Sequence, residues 1–402
     1  MKIMMFFLSI CVFGVRDISC HGTLHIKPVT ENILSLLDDT LEIKIQKNNE
    51  LPADITYLFA DLKYSCDGQV KICEFGGIMA GMADTQVMIN GVKETLITPY
   101  WDLFWHFAKK YNKPLWHIGE NTPAITQELF TSHGRSFQDL SCFKKFIDTT
   151  KDTIKLSNSI QEHAGILILA DNTPVKTRQK FMQEYPGVLV VNKYTRRYTL
   201  KEHAYKFFHK DPELAGYMPR LQSYNKKYTP DLAQKICHDI PAEYFIIKPI
   251  NSMQSKGVIM IDKAGLDSAL QVILRDTKTI APTAHKSLSY WKHDKNTTFF
   301  VEEYASSKTI IINKKEYDPT MRLIFFMSHD MGIIKINVIA GYWKIPVKAL
   351  SDDGTLTEKH ITKPFSGDFF TGIVIAPDDM KNVKNTFKTM LSNIYVKMLR
   401  AK

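Results

Sequence analysis

Residues 245–262 read FIIKPINSMQSKGVIMID, two apolar β-type runs joined by a loop that carries Asn251, Ser252, Gln254, Ser255, Lys256 and Gly257. The pattern predicts a strand, a cover for a bound anion, and a returning strand. Lys248 stands at the mouth of the first strand and Pro249 behind it breaks the ladder, which directs the ammonium into a site. Ser252, Ser255 and Gly257 let backbone approach an anion closely, and Lys256 adds charge. A plain β-hairpin is the alternative reading, because short Lys/Gly patterns arise often by chance.

Downstream, Phe299–Tyr304 (FFVEEY), Thr309–Asn313, Met321–Met327 and Gly332–Ala340 read as strands of an antiparallel meander, with Ser328–Met331 as a turn. Helices are expected at Thr199–Phe208 with Thr199 as cap and Lys201 in the first turn, from Thr229 to about Cys237, at Leu266–Leu274, and from near Asp378 onward. Upstream, Leu41–Lys47 reads as a short strand. Tyr57–Gly77 (YLFADLKYSCDGQVKICEFGG) reads as a hairpin turning at Cys66-Asp67-Gly68. Strand alternation puts Glu74 on the face of Val70 and Ile72, and Asp61 on the partner arm lies 13 residues before it. Two carboxylates held together there call for a cation, while salt bridges from Glu74 to Lys63 or Lys71 are the alternative. Pro99–Tyr111 has a helical apolar period. Ala164–Asp171 and Gly187–Asn192 are continuous apolar runs flanking a polar helical stretch at Lys176–Glu184, a βαβ pattern that implies a parallel sheet.

A chain of 402 residues suggests two or three packed lobes. Its 44% hydrophobic and 23% charged content is that of an ordinary globular protein. The net charge of +10 is spread along the chain without an arginine-rich block, which favours anionic small ligands or acidic partners over sequence-specific reading of nucleic acid. Cys11, Cys20, Cys66, Cys73, Cys142 and Cys237 show neither zinc spacing nor a disulfide framework and read as free thiols. Lys2 followed by the apolar Ile3–Val15 resembles a secretory signal and is too short for a membrane span. A buried first strand, or a start placed too far upstream, is the alternative.

Together these pieces resemble the ATP-grasp superfamily. The strand into Lys248-Pro249 and the Ser/Gly loop look like its lysine strand and phosphate lid. Phe300–Tyr304 looks like its adenine hinge, and Lys201 like its earlier nucleotide lysine. Asp61 and Glu74 match its metal carboxylates, and Tyr317–Arg322 is similar to an Asp/Arg strand entry. The carboxylates precede the lysines by more than a hundred residues, as in circularly permuted members such as the eukaryotic-type glutathione synthetases and glutathionylspermidine synthetases. Gly76 stands where that family has Asn, and only Glu303 offers itself as a ribose acid.

The resemblance implies an α+β fold of two lobes around a nucleotide, with a Rossmann-like βαβ substrate domain. It divides the chain into a possible signal at 1–22, a metal-carboxylate part at 23–98, the βαβ domain at 99–195 and nucleotide-binding lobes at 196–402. It also implies a ligase that joins a carboxylate to an amine through an acyl phosphate, using ATP and Mg²⁺. Arg322 and Lys248 would act on the phosphates. Lys201, Lys248, Ser252, Ser255, Lys256, Gly257, Glu302, Glu303 and Tyr304 would bind the nucleotide, and Asp61 and Glu74 the metal. The expected partners are a small or peptide carboxylate and an amine acceptor. The need for ATP favours a cytosol, the cell's own or a host's. The alternative is a degenerate member that binds a nucleotide or a protein without turnover.

Overall fold

The computed structural model describes residues 40–45, 51, 54–77, 183, 189–193, 201–250, 252, 255–276, 286–330, 332–362 and 372–400, together with the backbone of short strands between 86 and 169. The signal-like segment, the expected helix Pro99–Tyr111, the one at Lys176–Glu184 apart from Gln183, and the Thr199 cap lie outside them.

The molecule is an α+β protein. One large sheet is built from both ends of the chain: β1 (Leu41–Lys44), β2 (Asp54–Tyr64), β3 (Val70–Gly77) and, far along the sequence, strands between Thr320 and Val374. A second, four-stranded antiparallel sheet is made by β4 (Leu221–Asn225), β5 (Tyr244–Pro249), β6 (Ile259–Asp262) and β7 (Thr298–Glu303), in the order β4-β7-β5-β6. The C-terminal strands of the large sheet are β8 (Thr320–Asp330), β9 (Ile333–Lys344) and β10 (Gly372–Val374). The large sheet runs β3-β2-β8-β9-β10, continues into Gln86–Ile89 and Val92–Thr95, and pairs β1 with β9. The expected meander is therefore corrected. β7 belongs to the second sheet, Ile310–Ile312 forms a separate ribbon with Lys315–Tyr317, and β8 pairs on one side with β9 and on the other with β2. Local spacing cannot show that a strand's neighbour comes from the other end of the chain.

Between the two ends lies a parallel sheet in which Ile166–Leu169 pairs with Leu189–Val190 and Leu115–Ile118, and the latter with Gly134–Phe137, as the βαβ pattern implies.

Period-two alternation decides what each sheet face meets. On β2 and β8, Leu58, Ala60, Leu62, Met321, Leu323 and Phe325 face one way. They bury against α6 (Pro377–Arg400), which contributes Val383, Phe387, Leu391 and Ile394 at three- and four-residue spacing. On β5 and β7, Phe245, Ile247, Phe299 and Val301 pack beneath α2 (Leu232–Asp239), α3 (Leu266–Leu274) and α4 (Lys286–His293), where Trp291 is fully buried. The opposite faces of both sheets border the cavity together with the short α5 (Leu356–His360), while α1 (Lys201–His209) lies at the cavity's edge, its Ala204 and Phe208 joining the α6-side core beside Phe75.

Candidate functional site

The strand-loop-strand stretch forms as expected, with β5 and β6 antiparallel from Tyr244↔Asp262 to Ile247↔Ile259. Because Phe245 and Ile247 enter the core, Ile246 and Lys248 face the cavity, and on β7 Phe300 and Glu302 do the same. Ser255 at φ 55° and Gly257 at φ 75° bend the loop back. A Cβ on Gly257 would lie 2.5 Å from Pro249 Cγ and 2.8 Å from Tyr290 Cδ1, so the loop can sit this close only with glycine there.

The large sheet supplies the facing wall. Phe59, Asp61 and Lys63 alternate with the core residues of β2, Arg322 projects from the opposite position of β8, and Lys344 ends β9. The Arg322 guanidinium holds Asp61 in a two-toothed ion pair, Nε to Oδ1 at 2.6 Å and Nη2 to Oδ2 at 2.8 Å, and Lys344 Nζ reaches the same carboxylate at 2.8 Å. Burial pushes the Asp61 carboxyl up, but the two cations outweigh it and hold it well below the usual range.

Nine of the sequence candidates line one cavity of about 300 Å³: Asp61, Glu74, Lys201, Lys248, Ser252, Ser255, Glu302, Tyr304 and Arg322. That volume is at the lower end for a small-molecule site. Lys201 Nζ donates to Ser252 O at 2.7 Å and to Ser252 Oγ at 2.9 Å, and burial lowers its pKa to about 8. Lys248 forms an ion pair with Glu302. Burial depresses the Lys248 ammonium, and Glu302 more than restores it.

Three candidates do not line the cavity. Lys256 is exposed beyond the Ser255 bend, and the Gly257 carbonyl accepts from Trp291 Nε1 at 2.8 Å. Glu303 follows Glu302 on β7 and points the other way, where its carboxylate takes the Arg220 amide at 3.0 Å and Nε at 2.6 Å. The proposed ribose acid is thus already committed. The hinge amides are committed as well, Glu303 N to Arg220 O and Tyr304 N to Tyr244 O.

Two further expectations change. The register jumps from Asp61↔Glu74 to Leu62↔Ile72, so Cys73 is an extra residue and Glu74 leaves the Val70/Ile72 face for the cavity side. Glu74 is exposed there, not buried. Its expected alternative partners are engaged elsewhere, Lys63 with Asp318 and Lys71 with the Gly216 carbonyl. The position of the absent Asn is filled by an aromatic ring. A Cβ on Gly76 would lie 2.0 Å from Phe59 Cζ, and that ring carries the Arg322 guanidinium 3.7 Å from its centroid.

Sequence reading passed over Lys344 and His360, and gave Lys63 and Asp318 no place in the site. Buried Asp318 accepts from Lys63 Nζ at 3.1 Å and from the Ser307 amide at 3.0 Å, and its Oδ2 lies 2.6 Å from His360 Nδ1. Only the Asp-to-Arg spacing near Tyr317–Arg322 hinted at that carboxylate. With Lys63, Lys201, Lys248, Arg322 and Lys344 against Asp61, Glu74 and Glu302, the cavity walls carry an excess of positive charge suited to a polyanion.

No family model and no curated protein sequence matches this chain. Among solved structures, D-alanyl-alanine synthetase A from Vibrio cholerae O1 biovar eltor str. N16961 aligns over 71% of this chain and 81% of its own, at 10% identity and a TM-score of 0.36. Among the described residues no helix is long and apolar enough to cross a membrane.

Proposed function

We propose that the cavity binds ATP and that the protein is an ATP-dependent ligase joining a carboxylate to an amine through an acyl phosphate. The observation that carries this reading is the meeting of Asp61, Glu74, Lys201, Lys248 and Arg322, drawn from both ends of the chain, in one cation-rich cavity. Phosphoryl transfer asks a protein mainly for alignment and charge neutralisation. Lys201 and Lys248 oppose the nucleotide phosphates, Ser252 and Ser255 cover them, and Arg322 with Lys344 meets charge on the acyl side. No side-chain nucleophile is needed. Chain atoms hold reactants and exclude water; the carboxylate oxygen attacks the γ-phosphorus and ADP leaves, then the amine attacks the acyl-phosphate carbonyl and phosphate leaves, taking up the amine's proton.

The residues present fit magnesium in a reduced form. Asp61 is shared by two cations and Glu302 by one, whereas Glu74 makes no hydrogen bond or ion pair among the described residues. Magnesium is often held by one or two carboxylates plus phosphate oxygens. Glu74 would be its protein ligand, with Asp61 adjoining, and the ion would supply charge neutralisation on the phosphoryl oxygens.

A second reading, a nucleotide binder without turnover, is favoured by Phe59 filling the space of the absent Asn. Glu74→Gln separates the two. Its exposed position makes it tolerable to the fold, so the melting temperature should hold while ADP release with a mixed pool of acids and amines disappears. Mg²⁺-dependent turnover that survives the change removes Glu74 from the reaction. A wild type that binds ATP but never turns over supports the second reading.

A further inference from the structure

Glu303, the carboxylate that the resemblance offers for a ribose, is spent on Arg220. His360 lies beside the end of the same strand, on the cavity side. It ends α5, lines the cavity with 16% of its side chain exposed, and meets the Tyr304 ring edge-on at 5.1 Å between centroids.

The ring is fixed from behind. Asp318 Oδ2 lies 2.6 Å from His360 Nδ1, and Asp318 is itself held by Lys63 and the Ser307 amide. Burial raises the Asp318 carboxyl, but Lys63 and the bonds from His360 and Ser307 outweigh it, so the group is anionic and the proton sits on Nδ1. Tyr304 Oη, 2.9 Å from Nδ1, is then a second acceptor of the same N–H. In the tautomer with its proton on Nδ1, Nε2 is an acceptor, and it makes no hydrogen bond among the described residues. The backbone ties α5 and the segment after it to the phosphate cover: Met260 N donates to Thr357 Oγ1 at 2.9 Å and Ser255 Oγ donates to the Thr362 carbonyl at 3.1 Å.

We propose that His360 Nε2 accepts a hydrogen bond from a ribose hydroxyl of the bound nucleotide, with Asp318 as the positioning residue that sets the ring. The inference rests on the nucleotide reading given above. It puts an imidazole acceptor where the resemblance implies an acid and makes the site selective for a ribonucleoside triphosphate.

The test compares ATP, 2′-deoxy-ATP, 3′-deoxy-ATP and 2′,3′-dideoxy-ATP on the full chain by calorimetry. The wild type should lose about five- to tenfold in affinity for the dideoxy analogue, the size of one net hydrogen bond. His360→Asn keeps a donor near Nδ1 for Asp318 and lacks Nε2. It should bind ATP with that same loss and no longer distinguish the analogues. Asp318→Asn, read by the same ratio, should also flatten the discrimination, which a merely structural role would leave unchanged. A wild type that binds the dideoxy analogue as tightly as ATP overturns the proposal whether or not the variants fold, and so does a folded His360→Asn that keeps full discrimination. Failure to bind any of the four nucleotides overturns the nucleotide reading, and the proposal with it.

Discussion

Lys201 is a cavity cation whose charge is open to pH, as is Lys344, whose ammonium burial and the neighbouring Arg322 also depress. Its ammonium is buried against Ser252, and desolvation brings its pKa to about 8, below that of a free lysine. It is therefore charged below about pH 8 and progressively neutral above it. A polyphosphate binds the charged form, so binding takes up a proton at alkaline pH. ATP affinity should be flat below about pH 8 and fall by up to about tenfold per unit above it, and Lys201→Arg, which stays charged, should remove the fall. Calorimetry in buffers of different ionisation enthalpy measures the proton uptake; zero uptake near pH 8.5–9 (roughly one unit above that value) would refute the assignment. Lys248 behaves differently because its partner is buried. Lys248→Ala strands the Glu302 carboxylate, which typically costs about 3–5 kcal/mol, and should also weaken ATP binding by more than about tenfold. Adding Glu302→Gln should recover most of the melting temperature and none of the affinity. A single variant that binds ATP like the wild type would remove Lys248 from the site. Both lysines were legible in the sequence because each sits at the end of its own local element. Lys63, Lys344 and His360 were not, and Asp318 only through its spacing to Arg322, because nothing else short-range distinguishes them from surface charges until the sheets bring them together. Glu74 was placed on the wrong face because one inserted residue, Cys73, reverses the alternation without leaving a compositional mark.

At the scale of the element, the β5–β6 hairpin owes its shape to one glycine. Gly257 combines φ 75° with a Pro249–Tyr290 wall too close for any Cβ. Gly257→Ala must strain the backbone and push the wall back, at about 1–3 kcal/mol, and on the proposed nucleotide reading it loosens the loop over the phosphates. The expected outcome is a lower melting temperature together with an ATP dissociation rate raised more than the association rate is lowered; equal ATP kinetics in the two proteins would show that the loop is no cover. This hairpin was legible because both of its determinants, apolar alternation and Ser/Gly punctuation, act within eighteen residues. The same holds for α3, found as read at Leu266–Leu274, and for the buried stripe of α6. Of the strands after Glu303, those at Ile310–Ile312, Thr320–Asp330 and Ile333–Lys344 were legible as strands while Lys315–Tyr317 and Gly372–Val374 were not, and the assignment to one meander failed, since strand type is a local property and strand pairing is not.

Across the whole molecule, the large sheet is stitched from its two ends. β2 pairs with β8 over nine positions, from Asp54↔His329 to Leu62↔Met321, and every residue of β2 is buried. Removing the N-terminal hairpin would expose one edge of β8 along with the Met321, Leu323 and Phe325 face that shares the α6 core. It would also leave Arg322 and Lys344 buried without Asp61, a penalty of several kcal/mol. The second sheet depends less on this partnership, because β4 to β7 and their helices lie between residues 221 and 303 and carry their own core. A chain beginning at Lys201 should therefore be soluble only poorly, lose cooperative unfolding and fail to bind ATP, while amides of β5 and β7 remain slow to exchange. Supplying residues 40–80 in trans should restore the β8 amides and nucleotide affinity together, since closing that edge rebuilds both the sheet and the Asp61 anchor. If the chain from Lys201 is monomeric, melts cooperatively and binds ATP unaided, the N-terminal hairpin is an accessory strand pair and the cavity is made by the C-terminal half alone.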